Sequence, residues 1–194
     1  MPFSSAGIRG VKRASLLGLI IGLSLGLVQA HADEAVDRGG SFCLTPSLFL
    51  PTGVLAQQFN PGGLENLDFD VGISPAWSVI FGAGYADLDN QFNSDAHLLL
   101  VPAWFGFKSK AQLKPVELYW SAAGELVYEK ATVIGNTGNG SLDNLDGGAV
   151  LGAGFDLWLT KAFLVGVESR VHLVIEGQQL YPLVELGLRF GIRG

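Results

Sequence analysis

The feature that most constrains the fold is a two-residue alternation of apolar and polar side chains between Gly147 and Ile192. Three segments, 147–159, 162–175 and 180–193, place apolar residues at almost every second position, with Ser169 as an exception. Because the side chains of a β-strand alternate between the two faces of a sheet, this pattern predicts three consecutive strands with one apolar face each. The charged residues on the opposite faces are Asp156, Glu168, Arg170, His172, Glu185 and Arg189.

The same alternation predicts five earlier strands, over 41–50, 68–74, 79–88, 97–107 and 116–130. In the last of these, Glu117, Glu125 and Glu129 share the polar face. The segment 97–107 is apolar on both faces, so its inward side stays open. The predicted connections are a loop at 51–66, a tight turn at 75–77, a loop at 89–95, a basic turn at 108–115, a Gly- and Asn-rich loop at 131–146, and short links at 160–161 and 176–179.

Composition decides which environment the apolar faces meet. Hydrophobic residues make up 48% of the 194 residues, charged residues only 15%, and the mean hydropathy is +0.36. Yet no stretch after the N-terminus approaches the roughly 20 apolar residues of a spanning helix. An even number of strands with alternating long and short connections is typical of outer-membrane barrels. The sequence therefore predicts an all-β, eight-stranded antiparallel up-and-down transmembrane β-barrel over residues 41–194. A periplasmic sandwich or lipocalin-like carrier of apolar ligands, with the apolar faces inside, is the alternative.

The N-terminus has the three parts of a secretory signal peptide. Arg9, Lys12 and Arg13 precede the apolar run 16–28, and Ala30-His31-Ala32 forms a small-x-small cleavage site. We expect cleavage after residue 32, a short periplasmic segment at 33–40, and export to the outer membrane of a Gram-negative bacterium. Cleavage removes three of the twelve basic residues and none of the eighteen acidic ones, so the mature net charge would be −9. Such an acidic chain argues against nucleic acid as a partner.

The tryptophans indicate an orientation in the membrane. The pattern of connections fits an outer-membrane barrel if the short ones, 75–78, 108–115 and 160–161, face the periplasm. All four tryptophans lie close to one of these connections, whereas Tyr85 and Tyr128 lie towards the other end. Aromatic side chains favour the interface between membrane and water. The sequence thus predicts a periplasmic aromatic girdle of Trp77, Trp104, Trp120 and Trp158.

The charged faces of the strands predict ion pairs inside the barrel. A charge inside a barrel narrow enough to be filled by side chains must be paired or hydrated. A two-residue turn at 177–178 sets Arg170 opposite Glu185, and a register two residues longer sets Glu168 opposite Arg189. Such pairs would brace the barrel and obstruct ion flow, although a narrow polar path is the functional alternative. The predicted lumen charge network is Glu117, Glu125, Glu129, Asp156, Glu168, Arg170, His172, Glu185 and Arg189.

Several segments resemble small eight-stranded outer-membrane barrels of the OmpA, OmpX, OmpW and opacity-protein type. They are Val101-Pro102-Ala103-Trp104-Phe105-Gly106-Phe107, Leu151-Gly152-Ala153-Gly154-Phe155-Asp156 and the closing Leu186-Gly187-Leu188-Arg189-Phe190. These barrels usually end on an aromatic residue, whereas here four residues follow Phe190. The resemblance, over about residues 40–192, implies a role in membrane integrity, surface interaction or passage of small apolar molecules. It also implies outer-membrane lipid, lipopolysaccharide and the barrel-assembly machinery as partners.

Catalysis and cofactors find little support in the sequence. A lipid A-modifying barrel would need a Ser near its His, but the position two residues after His172 is Val174. The Gly-rich segment 135–140 lacks the Lys-Ser/Thr of a phosphate-binding loop. The single cysteine, Cys43, and the scattered histidines offer no metal-ligand spacing. We therefore expect no catalytic, cofactor-binding or metal-binding residues.

Overall fold

A computed structural model of the chain describes residues 39–93, 96–135, 138–177 and 179–193. The predicted signal peptide and nearly all of the segment 33–40 lie outside these residues. The described part forms eight β-strands. They are β1 (Gly40–Pro51), β2 (Gly62–Ser74), β3 (Trp77–Asp89), β4 (Ala96–Leu113), β5 (Val116–Gly135), β6 (Gly138–Trp158), β7 (Phe163–Glu176) and β8 (Gln179–Arg193).

The strands form one closed barrel in sequence order. Each strand pairs with the next in the antiparallel sense, and β8 returns to pair with β1, with Leu44 opposite Phe190. Closure leaves no unpaired sheet edge, so backbone polar groups along the wall are satisfied by their neighbours. The predicted eight-stranded antiparallel barrel is therefore confirmed.

Several predicted connections are wrong because the strands are longer than their alternation indicates. Strand β4 continues to Leu113, so the link to β5 is only Lys114-Pro115 and Lys108 lies within a strand. The segment 131–146 is mostly a β5–β6 hairpin, in which Ala131 pairs with Leu142. Gly and Asn have low strand propensity, but pairing across a long hairpin outweighs that preference. The loop after β1 likewise ends at Pro61, because β2 begins at Gly62.

The two faces of the wall differ sharply in chemistry. Apolar side chains on the outside are half exposed, for example Leu188 at 55% and Leu126 at 57%. Their inward neighbours in sequence, Arg189 and Glu125, are 3% and 4% exposed. Even-numbered residues of β4 such as Leu98 and Leu100 are buried, which settles the inward face of that strand. The barrel thus carries an apolar exterior and a largely polar interior.

A short 3-10 helix, Leu55–Gln57, lies in the loop between β1 and β2. No helix in the described ranges has the length and apolar character needed to cross a membrane.

Candidate functional site: the charged interior of the barrel

The centre of the interior is an ion-pair cluster around Arg170 of β7. Its Nη2 lies 2.6 Å from Asp68 Oδ2 of β2 and 2.8 Å from Glu168 Oε2. Arg170 is 4% exposed and Asp68 4%. Because β2 and β7 are not neighbours in the sheet, the Arg170–Asp68 contact spans the inside of the barrel.

Arg189 of β8 and Lys108 of β4 extend this cluster towards the end of the barrel at which β1 begins and β8 ends, called the terminal end below. Arg189 Nη1 is 3.0 Å from Glu168 Oε2, and its Nε is 3.2 Å from Asp156 Oδ1. Lys108 Nζ is 2.9 Å from Asp70 Oδ2 and 3.6 Å from Asp156 Oδ2. Three cations and four carboxylates from β2, β4, β6, β7 and β8 are therefore interlocked, with shared carboxylates joining each cation to the next. We call this set the charge cluster, namely Asp68, Asp70, Lys108, Asp156, Glu168, Arg170 and Arg189.

Two aromatic side chains complete the packing of the charge cluster. Trp104 donates its indole N–H to Asp68 Oδ1 at 3.0 Å, and the Arg170 guanidinium lies 4.6 Å from the ring centroid of Trp104. The ring of Tyr119 lies between Lys108 Nζ, at 4.0 Å, and the guanidinium of Arg189, at 5.0 Å. These aromatic faces provide a favourable environment for cations that are out of water.

A second polar group is centred on His172, nearer the long loops. Its Nδ1 is 2.6 Å from Glu125 Oε1, and its Nε2 is 3.1 Å from Glu185 Oε2. The other oxygen of Glu185 accepts hydrogen bonds from Asn66 Nδ2 and Ser47 Oγ, both at 2.6 Å. An imidazolium donates from both nitrogens, so the protonated ring satisfies both carboxylates at once. We call these five residues, Ser47, Asn66, Glu125, His172 and Glu185, the histidine layer.

An apolar layer closes the interior on the side of the histidine layer that faces the long loops. Each residue of the histidine layer is followed, two positions towards the loops on its own strand, by a buried apolar residue. These apolar residues are Phe49, Leu64, Val127, Val174 and Leu183. The same cluster includes Ala86, Leu88, Leu98 and Leu100, and Leu55 and Phe59 of the β1–β2 loop pack against it. The interior thus changes from charged to apolar along the barrel axis.

The predicted lumen residues do not all enter one network. Asp156, Glu168, Arg170 and Arg189 lie in the charge cluster, and Glu125, His172 and Glu185 lie in the histidine layer. Glu117 is 2% exposed at the terminal end, where Gln112 Nε2 donates to it over 3.4 Å. Glu129 is only partly buried and lies beyond Val127, on the loop side of the apolar layer.

The β7–β8 hairpin has the register that a two-residue connection at 177–178 sets. Glu176 pairs with Gln179, and Arg170 pairs with Glu185. Even so, the Arg170 side chain contacts Asp68 and Glu168, while Glu185 contacts His172. Glu168 and Arg189 still form an ion pair, because they lie on a diagonal of the β7–β8 ladder. Long side chains reach past the directly opposite position, so backbone register alone does not determine the ion pairs.

The predicted tryptophan girdle requires correction. Trp77 and Trp120 lie together on the outside, with ring centroids 5.8 Å apart. Trp104 is instead 4% exposed and inside the barrel, because β4 turns its even-numbered residues inward and Gly82 opposite leaves space for the ring. Trp158 shares the inward parity of Asp156, and the Arg193 guanidinium lies 3.9 Å from its ring centroid.

Asp68, Asp70 and Lys108 belong to the charge cluster but are not among the predicted lumen residues. The two aspartates alternate with the outward Phe69 and Val71, so their parity already indicated an inward face. Lys108 was assigned to a turn, and its parity has meaning only once β4 is known to continue to Leu113. Within the described residues, no group of three or more His, Cys, Asp or Glu side chains has a geometry suited to holding a metal ion.

Replacement of Trp104 by phenylalanine tests the inward placement of this residue. The change keeps an aromatic six-membered ring but removes the pyrrole part of the indole, and with it the N–H that donates to the buried carboxylate of Asp68. We expect the free energy of unfolding to fall by about 1–3 kcal/mol, the usual cost of a lost partner at a buried charged group. Denaturant unfolding in detergent measures this change, with Trp120→Phe on the outer surface as the control. Equal effects of the two substitutions would contradict a role specific to Trp104.

The closed ring of eight antiparallel strands, with an apolar exterior and a charged interior, defines the fold of the small outer-membrane β-barrels. Solved structures with this fold include the Neisserial surface protein NspA, with a TM-score of 0.58, 14% identity, and coverage of 82% of this chain and 98% of that one. OprG from Pseudomonas aeruginosa has a TM-score of 0.58 at 10% identity, covering 81% and 97%. Ail of Yersinia pestis has a TM-score of 0.53 at 15% identity, and the match covers 80% of this chain and 97% of Ail. No protein-family model and no curated protein matches the sequence significantly.

Proposed function

We propose that this protein is an outer-membrane β-barrel with a structural role in the envelope, and that its interior is held closed rather than open to ions. The observation that carries the proposal is the stacking of the charge cluster, the histidine layer and the apolar layer inside one barrel. Ions entering from the terminal end would have to displace interlocked ion pairs, and then cross side chains that offer no polar partner.

The outer surface of the barrel wall supports the proposed position in the membrane. Half-exposed Leu, Phe and Val side chains surround the barrel, and lipid is the environment in which such a surface is favourable. The short connections 75–76, 114–115 and 159–162 would face the periplasm, and the longer loops would face outward. Export by residues 1–32, insertion by the assembly machinery, and contact with lipopolysaccharide belong to the same proposal.

A catalytic role is disfavoured by the way the histidine layer is bonded. Both nitrogens of His172 point at carboxylates, and the hydroxyl of Ser47 donates to Glu185 rather than to the imidazole. A serine nucleophile needs a base that accepts its proton. Here the nearest acceptor is a carboxylate already shared by Asn66 and His172. The arrangement stabilises charges and activates no hydroxyl.

Cell fractionation and conductance together test the proposal. We expect the full chain to remain with the outer membrane until detergent is added, and to migrate differently on gels with and without heating. In planar bilayers, the purified protein is expected to show no steady conductance steps. A parallel sample checked for unheated gel mobility establishes that the protein in the bilayer is folded.

Two outcomes would contradict different parts of this proposal. Release into the soluble fraction on cell lysis would favour the periplasmic carrier. Steady ion conductance by folded protein would favour the narrow polar path and would overturn the closed interior.

A further inference from the structure

A cavity of about 430 Å³ opens at the terminal end of the barrel, below the charge cluster. Its walls include the cationic side chains of Lys114, Lys161 and Arg193, together with Gln112, Glu117 and Trp158. We call it the mouth cavity. Its volume lies within the range of small-ligand sites, about 300–1,000 Å³.

Backbone hydrogen bonds fix the walls of the mouth cavity. The amide of Trp158 donates to the carbonyl of Pro115 at 3.0 Å, which joins the end of β6 to the β4–β5 turn. The amide of Arg193 donates to the carbonyl of Ala162 at 2.8 Å, which joins the end of β8 to the β6–β7 turn. The three cations therefore come from segments held in place relative to one another.

The placement of charge along the barrel sets the mouth cavity apart. Exposed acids of the described residues gather at the loop end, namely Glu65, Asp87, Asp89, Asp143 and Glu176. In the same described ranges, the lysines and arginines that are not buried lie at the terminal end, except for Lys130. An acidic chain thus presents at one end a cavity lined by three cations and one carboxylate, and a cavity of net positive charge attracts anionic ligands.

We propose that the mouth cavity binds a phosphate group. Two lysines supply point charges and Arg193 supplies a planar set of donors, a combination suited to phosphate oxygens. Trp158, under the guanidinium of Arg193, and the aliphatic wall at Pro115 and Val116 contact the organic part of the ligand. The source is a phospholipid headgroup of the inner leaflet or a free phosphate. The lipid source rests on the proposed outer-membrane position, whereas the phosphate site itself does not.

Native mass spectrometry of the purified full chain in a non-ionic detergent tests the site. Three probes are titrated separately: phosphatidylglycerol, diacylglycerol without phosphate, and inorganic phosphate. Ionic contacts of exposed or partly exposed side chains are individually weak in water, and we expect the three together to amount to about tenfold in affinity. We therefore expect the triple variant Lys114→Gln, Lys161→Gln, Arg193→Gln to bind the phosphate-bearing probe about tenfold more weakly. Lys130→Gln, at the opposite end, is expected to bind as the parent does.

Each outcome decides a separate point. Binding of phosphatidylglycerol alone, lost in the triple variant, supports a lipid headgroup, and binding of inorganic phosphate supports a free phosphate. Three results would overturn the site. The first is equal binding of the phosphate-bearing probes by the triple variant and the parent. The others are equal binding of diacylglycerol and phosphatidylglycerol, and no binding of either phosphate-bearing probe. Unheated gel mobility shows that the triple variant is folded. If phosphate binding fails in a protein that still fractionates with the outer membrane, the phosphate site is wrong and the proposed function is unaffected.

Discussion

Replacing Arg170 with alanine is expected to lower the free energy of unfolding by about 3–5 kcal/mol, the cost of leaving a buried charge without its partner. The substitution removes the cation shared by Asp68 and Glu168, both of which are almost fully buried. Glu168 keeps Arg189 as a partner, and Asp68 keeps the indole N–H of Trp104. We therefore expect Asp68 to account for most of the loss. The temperature at which gel mobility shifts, and denaturant unfolding in detergent, both measure the effect.

Ser169 offers a matched control on the same strand. It faces outward and is exposed, so Ser169→Ala removes a side-chain oxygen that takes no part in the charge cluster. We expect its stability to stay within about 0.5 kcal/mol of the parent, as is usual for surface substitutions. If Arg170→Ala and Ser169→Ala shifted the gel transition equally, the ion pairs would contribute nothing measurable to stability. The double variant Arg170→Ala, Asp68→Asn should recover part of the loss, because it removes the orphaned charge as well.

The fold was predictable because a closed barrel imposes one rule on every strand. Each strand must alternate between a lipid-compatible face and an interior face, and residues 162–175 and 180–193 follow this rule except at Ser169. The sequence left two registers open for β7 and β8. The structure has the one that a two-residue turn sets, with positive φ at Gly177 and Arg170 opposite Glu185. Strand ends were less predictable, because hydrogen bonding to a neighbouring strand extends β5 and β6 through Gly- and Asn-rich sequence.

The interior could be predicted only in part, because it depends on contacts between distant strands. Sequence parity identified Glu168, Arg170 and Arg189 as inward residues, but not that Arg170 reaches Asp68 across the barrel. Trp104 was misplaced for a related reason. Its strand is apolar on both faces, and only pairing with Gly82 shows which face has room for an indole ring. The apolar layer could not be predicted, because Leu, Phe and Val residues that face the interior cannot be distinguished by sequence from those that face lipid.

The second large loss of stability is expected on replacement of Glu185 in the histidine layer. This carboxylate accepts hydrogen bonds from Ser47 and Asn66 and contacts His172, and it is 0% exposed. Glu185→Ala leaves these three polar groups without that acceptor, in a space that the apolar layer separates from the long loops. We expect a loss of about 3–5 kcal/mol in the free energy of unfolding, measured by the heat-dependent gel shift and by denaturant unfolding.

Glu185→Gln separates the contribution of hydrogen bonding from that of charge. The amide has a single carbonyl oxygen. If that oxygen accepts from Ser47 and Asn66, the N–H₂ group faces His172, and if the oxygen faces His172, the N–H₂ group faces Ser47 and Asn66. If the negative charge matters chiefly as the partner of the imidazolium, Glu185→Gln should lose nearly as much stability as Glu185→Ala. If hydrogen bonding dominates, the glutamine variant should retain most of the stability of the parent. A parent-like gel transition in both variants would mean that the histidine layer does not stabilise the barrel, and the closed interior would then depend on the charge cluster and the apolar layer alone.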